Sequence, residues 1–185
     1  MIILLVGPDG AGKSTVASLL RSTLTVTRHE HFRPYAPVEL GVPEQPHGDA
    51  ARSLPTSIAK VLFLWGEQSL RVGARKKASR RGVVLIERGW WDQAVDPRRY
   101  RIHPMALPLV RAMGRTFPKA DVGVLLTADP RVIHTRKPEL SVLEIQRQAD
   151  AWWATLPYAA SRTYAVDATA DPRASTADII RRLEL

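Results

Sequence analysis

Residues 1–15 read Met-Ile-Ile-Leu-Leu-Val-Gly-Pro-Asp-Gly-Ala-Gly-Lys-Ser-Thr, and this stretch decides the fold. Apolar residues run without a break into Gly7, and Val16, Leu19, Leu20 and Leu24 then follow at helical spacing. Strand, loop and helix therefore stand in the order that a phosphate loop requires. Gly7, Gly12, Lys13 and Ser14 occupy the fixed positions of the pattern G-x-x-x-x-G-K-[ST]. Glycines let successive backbone N–H groups turn toward phosphate oxygens, and the following helix adds the positive end of its dipole. Lys13 is expected to reach the β- and γ-phosphates, and Ser14 to offer its hydroxyl to Mg²⁺. Gly7, Asp9, Gly10, Ala11, Gly12, Lys13, Ser14 and Thr15 are thus the expected ATP-phosphate residues.

Outward from this loop, apolar runs and helical patterns alternate. Residues 2–6, 24–28, 83–86, 122–126 and 164–166 read as strands, and continuous apolar runs are the mark of buried parallel ones. Residues 15–24, a long stretch opened by Pro55, and residues 104–113, 141–156 and 174–183 read as helices; Asp129-Pro130 resembles a helix start. The alternation predicts one α/β domain, a five-stranded parallel sheet with helices on both faces. Residues 32–55 hold five prolines and little periodicity, so they read as a long loop of the kind that carries function.

Composition narrows the partners. The 185-residue chain is 45% hydrophobic, enough for a full core, and contains no cysteine, which removes disulfides and thiolate metal sites. The apolar run before Gly7 is too short for a signal peptide or membrane span, so a cytoplasmic location with access to ATP is expected. A net charge of +9 suits either nucleic acid or phosphorylated small molecules. The one basic cluster, Arg71, Arg75, Lys76, Lys77, Arg80 and Arg81, ends a helix just before a strand. It lies at the N-terminal edge of the sheet, whereas ligands bind beyond the carboxyl ends. No membrane or nucleic-acid partner is expected, and a homodimer stays open.

A second constellation closes the 83–86 strand: Glu87-Arg88-Gly89-Trp90-Trp91-Asp92. A carboxylate at that strand end can hold Mg²⁺ through water or accept a proton, and Arg88 supplies a planar fork for phosphoryl oxygens. Trp90 is a candidate for stacking on an acceptor base or sugar, with core packing the plainer alternative. Arg98, Arg99 and Arg101 follow on the side where an acceptor should lie, and Arg33 stands in the long loop. His29, Glu30 and His31 open that loop; Glu30 could act as a base for a hydroxyl acceptor, though a polar loop entrance is the simpler reading.

Here the residues resemble a family. Gly7–Thr15 is similar to the G-x-D-G-x-G-K-S-T loop of thymidylate kinase and its relatives, and Glu87-Arg88 resembles their Asp-Arg or Glu-Arg pair. Thr127-Ala-Asp-Pro130 with Arg136 resembles the strand-to-lid segment of nucleoside monophosphate kinases. Residues 164–168, Tyr-Ala-Val-Asp-Ala, resemble their last strand and adenine-side loop, which adds Asp167 and Ala168 as adenine-side candidates. The resemblance implies one P-loop kinase domain over residues 1–185, with an acceptor-side loop at about 29–55 and a short lid at about 136–144. Lys13, Glu87, Arg88 and Arg136 would be catalytic, and Mg²⁺ would be held by Ser14 and, partly through water, Glu87.

Two departures from the thymidylate kinase pattern leave the acceptor open. The Arg-Glu-Pro-Gly-Gly segment of thymidylate kinases is replaced by Arg28-His-Glu-His-Phe-Arg-Pro34, and the lid reads Arg136-Lys-Pro-Glu-Leu140. Residues 31–34, Pro46-His47 and residues 95–101 resemble a thymidylate-kinase-like subgroup found among polysaccharide-assembly proteins. The expected activity is ATP- and Mg²⁺-dependent transfer of a phosphoryl group to a small phosphorylated acceptor. Phosphorylation of a hydroxyl on a nucleoside or sugar, or a P-loop switch with little turnover, are the alternatives.

Overall fold

The computed structural model describes residues 1–32, 50–169 and 171–183. The elements run β1 (Ile2–Val6), α1 (Lys13–Thr23), β2 (Val26–His31), α2 (Leu54–Ser79), β3 (Val83–Glu87) and α3 (Asp92–Val95). A short 3-10 turn (Pro104–Ala106) then leads into α4 (Leu107–Gly114), β4 (Ala120–Thr127), α5 (Pro130–Arg136), α6 (Val142–Ala159), β5 (Ala160–Asp167) and α7 (Pro172–Leu183). The five strands form one parallel sheet in the order β2-β3-β1-β4-β5. β1 is central, so the loop that leaves it emerges between the ends of β3 and β4.

Alternation along β1 explains the two layers. Leu4 and Val6 join Val84 and Ile86 against Val61 and Leu64 of α2 and Trp152 and Leu156 of α6. Ile3 and Leu5 point to the other face and pack with Leu85 and Val124 against Val16 and Leu20 of α1 and Ile179 of α7. Both faces are buried, so β1 and β3 carry no polar alternation before Glu87. Caps set the helix starts: Asp129 accepts a hydrogen bond from the Arg131 N–H (2.7 Å), and Ser141 from the Glu144 N–H (3.2 Å).

The expected five-stranded α/β architecture is the one observed. Its borders differ in one consequential place: β2 begins at Val26 and runs through His31, so His29, Glu30 and His31 belong to a strand and not to the loop. Pairing with β3 in the register His29↔Leu85 and His31↔Glu87 extends the strand, because ladder hydrogen bonds outweigh the polar side chains. Much of the expected long loop, residues 33–49, lies outside the described residues, and Arg33, Pro46 and His47 lie there with it. In the basic cluster, Arg71 pairs with Glu67, and Arg75 with Glu30 at 2.6 Å. Among the described residues, no helix is long and apolar enough to cross a membrane.

Candidate active site

The phosphate loop is shaped by its glycines. A Cβ on Gly7 would stand 2.2 Å from the Leu126 carbonyl oxygen, and Gly12 opens α1 in the left-handed conformation (φ 81°). No side chain caps α1, which leaves its first-turn N–H groups facing the loop's concavity. Lys13 is buried and donates from Nζ to the carbonyls of Gly7 and Pro8, each at 2.7 Å. Burial pulls the Lys13 pKa down to about 8, against the opposing pull of Asp9, so its ammonium is held close to the loop backbone in an apolar setting.

Glu87 ends β3, and the register Leu5↔Glu87 brings it beside the loop. Its Oε2 accepts a hydrogen bond from the Ser14 hydroxyl (2.8 Å), and its Oε1 lies 2.7 Å from His29 Nε2. The hydroxyl and carboxylate that sequence reading proposed for Mg²⁺ are therefore adjacent. No group of three or more His, Cys, Asp or Glu side chains suited to a metal occurs among the described residues. Two protein oxygens with the remaining positions left to phosphate and water is the donor set that Mg²⁺ favours in phosphoryl-transfer sites. The residues present fit that ion.

Asp9 gathers the cations. Arg88 and Arg99 both donate to its carboxylate, and Lys13 Nζ lies 3.6 Å away. Burial alone would raise the Asp9 pKa, but Lys13, Arg88 and Arg99 together outweigh it and hold the carboxyl far below its usual range. Arg88 adopts φ 61°, a conformation that a residue carrying a Cβ rarely occupies without compensation, and its buried Nε has no hydrogen-bond partner. A buried guanidinium with an open donor beside Lys13 is suited to an incoming oxyanion.

The other expected residues are placed as follows. Asp9, expected at the donor phosphates, lies in the phosphate loop with its carboxylate on Arg88 and Arg99. Trp90 is a core residue, 6% exposed, donating from Nε1 to the Val110 carbonyl and packing on Phe117. Arg98 is exposed and lies against the charge of Glu144 on α6. Arg101, with φ 53°, donates from Nε to the Ala50 carbonyl (3.1 Å). Arg136 donates to the carbonyls of Ala168 and Thr169, the expected adenine-side loop, and so ties α5 to the end of β5. The lid cation nearest the phosphate loop is its neighbour Lys137: Gly10's Cβ position is 3.1 Å from Lys137 Cβ, and Lys137 lowers the Asp9 pKa. Asp167 is exposed and accepts from the Thr169 N–H (2.8 Å), while Ala168 is buried. Thr15 is exposed on α1, and Ala11 is buried under the loop.

Sequence reading missed four residues. Glu30 is not a free base: Arg75 and Arg28 both donate to it. His29 pairs with Glu87 because alternation along β2 puts His29 and His31 on the Glu87 side, a signal hidden by treating them as loop. Lys60 and Arg52 lie with Arg101 at the start of α2. Burial first, then those two arginines, pushes the Lys60 pKa down to about 8, and Arg52 Nε is buried without a partner. Like charges crowded at one place gain from an anion between them.

Asp92 yields a test of this electrostatic frame. It accepts from the Gly89 N–H (2.7 Å), and burial raises its pKa to about 6 despite Arg88 nearby. A raised folded pKa contributes stability below the unfolded value near 3.8, and that stability is lost as pH rises through about 6. Asp92→Asn keeps the acceptor and removes the charge. The variant should be more stable than wild type at pH 8 by on the order of 2–3 kcal/mol, a gain that vanishes near pH 4. Denaturant melts at both pH values measure this; a gain independent of pH would contradict the assignment.

No family model matches the sequence, and no curated protein is significantly similar to it. Solved structures are similar in fold. The thymidylate kinase of Candida albicans superposes with a TM-score of 0.72 at 17% identity, covering 99% of this chain and 90% of its own. The deoxyadenosine kinase of M. mycoides, solved with dATP, gives a TM-score of 0.65 at 17% identity over 100% of both chains. The same enzyme with dCMP and dCDP gives 0.64, covering 100% of this chain and 99% of its own. Sheet order and phosphate loop define a P-loop α/β fold. That fold is similar to the fold of these two kinases.

Proposed function

We propose that this protein is an ATP-dependent kinase that transfers the γ-phosphoryl group to a small, already phosphorylated acceptor, a nucleoside monophosphate before a sugar phosphate. The observation that carries the reading is the Asp9 hub, which fixes Arg88 and Arg99 beside Lys13 and the Ser14–Glu87 pair. The α1 N-terminus and Lys13 hold the donor phosphates, and Lys13 leaves its loop carbonyls to do so. Ser14 and, through water, Glu87 would hold Mg²⁺, which would supply positive charge against the donor phosphates. Arg88 and Lys137 face the phosphoryl group in flight, and Arg99 with the Arg52–Lys60–Arg101 group draws the acceptor's own phosphate. An acceptor oxygen forms the new P–O bond as the bond to ADP breaks. A phosphate acceptor is largely ionised at neutral pH, so it needs no general base. That agrees with Glu30 being committed to Arg75 and Arg28. The ion's occupancy of the site and the cytoplasmic location belong to the same proposal.

One observation favours a second reading. The His29–Glu87 contact is a carboxylate–imidazole pair able to take a proton from a hydroxyl acceptor. ATP consumption measured over nucleoside monophosphates, sugar phosphates, nucleosides and free sugars separates the two. The highest kcat/KM should fall on a monophosphate, and a neutral best substrate would replace this reading with the second. Arg99→Ala should raise KM for the acceptor by at least about tenfold, roughly 1.4 kcal/mol, with KM for ATP little changed. Arg98→Ala, altering an exposed charge, should change either constant less than twofold. Equal effects of the two substitutions would remove Arg99 from the acceptor site.

A further inference from the structure

A cavity runs along the face of the sheet under α2, from Ile2 and Ala120 at the amino ends of β1 and β4 to Ile86 and Gly89 at the carboxyl end of β3. It measures about 360 Å³, is partly open to solvent, and is bordered by Ile2 and Ala120 at the starts of β1 and β4 and by Ser79 at the end of α2. The size falls within the range of about 300–1,000 Å³ typical of small-molecule sites.

Its walls are aromatic and braced. Trp90, Trp91, Phe117 and Tyr158 line it with Leu4 and Val72. Trp90 is held by its hydrogen bond to Val110 (2.8 Å) and a tilted contact with Phe117 at 5.2 Å; Trp91 packs on Tyr158 at 5.9 Å. Gly114 makes this packing feasible, since a Cβ there would lie 2.8 Å from both indoles. Interiors normally close up around spaces of this size. Here hydrogen-bonded and stacked rings hold the space open with flat apolar faces.

The rim is cationic. Arg75 is matched by Glu30, which leaves Lys76 and Lys119 facing Asp121 among the charged lining groups. Lys119 donates to the Pro157 carbonyl (2.7 Å), and the Asp121 carboxylate accepts from the Ile2 N–H (2.6 Å). The balance is one positive charge beside an aromatic slot. We propose that this cavity is a binding site for a small aromatic monoanion, one or two rings bearing a single carboxylate or sulfonate, with the rings against Trp90, Trp91 and Phe117 and the acid at Lys76 and Lys119. Asp9, Lys13, Ser14 and Glu87 do not line it, and its far end at Gly89 adjoins Arg88.

The dye 1-anilinonaphthalene-8-sulfonate is a suitable probe, with its uncharged analogue N-phenyl-1-naphthylamine as comparison. Wild-type protein should bind one sulfonate dye with energy transfer from tryptophan and a raised Tm, since a ligand of the native state stabilises it. The uncharged analogue should bind at least about tenfold more weakly. Lys76→Glu should raise the dye's Kd at least tenfold and erase the preference for the sulfonate. Val72→Trp, which fills the slot, should do the same to both dyes; should it fail to fold, the Lys76→Glu result decides. A lowered Tm, or a Kd indifferent to Lys76→Glu, would overturn the proposal.

Discussion

Replacing Lys13 with alanine is expected to lower kcat by roughly 10³-fold while leaving the far-UV spectrum of the fold intact. Lys13 is a buried ammonium that donates to the Gly7 and Pro8 carbonyls and lies 3.6 Å from Asp9. A charge preorganised in a dry site at the point where phosphoryl charge develops is worth about 3–4 kcal/mol. Its loss also releases Asp9 to Arg88 and Arg99 alone. The same variant should lose the protection that ATP gives wild type, about 2.7 kcal/mol at 100-fold excess over Kd. Turnover and thermal protection close to wild type would remove the phosphate loop from the chemistry.

Glu87→Gln is expected to lower kcat by roughly 10²-fold or more, with a higher Mg²⁺ concentration needed for half-maximal rate. Glutamine can still accept from Ser14 and meet His29, so the 2.8 Å and 2.7 Å contacts survive in shape while the charge is removed. A carboxylate that organises the ion must then fail in rate, with ATP affinity only modestly weaker. An unchanged kcat across a magnesium titration would make Glu87 a structural strand end.

The phosphate loop and the five strands were legible because each rests on local chemistry: Gly7 and Gly12 at fixed spacing, and unbroken apolar runs in β1 and β3. The β2 boundary was not, since Arg28-His-Glu-His31 has the composition of a loop and only the ladder with β3 makes it a strand. The same cause hid the His29–Glu87 contact and the Arg75–Glu30 pair, both of which join residues far apart in sequence. The acceptor side was read by residue type alone. Spacing could not tell Arg99, which reaches Asp9, from Arg98, which is exposed, because a turn and not a helix carries them. Likewise Arg136 and Lys137 are adjacent, and only the end of α5 decides that Arg136 turns to Ala168 while Lys137 lies over Gly10.

The Asp9 hub accounts for two features together: an Arg88 held at positive φ, and guanidinium groups gathered where a second anion would be drawn in. A nucleotide switch would need the donor site alone. The two differ in where the γ-phosphate goes. The most direct measurement follows γ-labelled ATP with Mg²⁺ and the best acceptor, and partitions the label between acceptor and inorganic phosphate. Transfer to the acceptor should exceed release to water by at least about a hundredfold, as expected for a site that excludes water. Release of label as inorganic phosphate at a rate indifferent to every acceptor would contradict the kinase assignment.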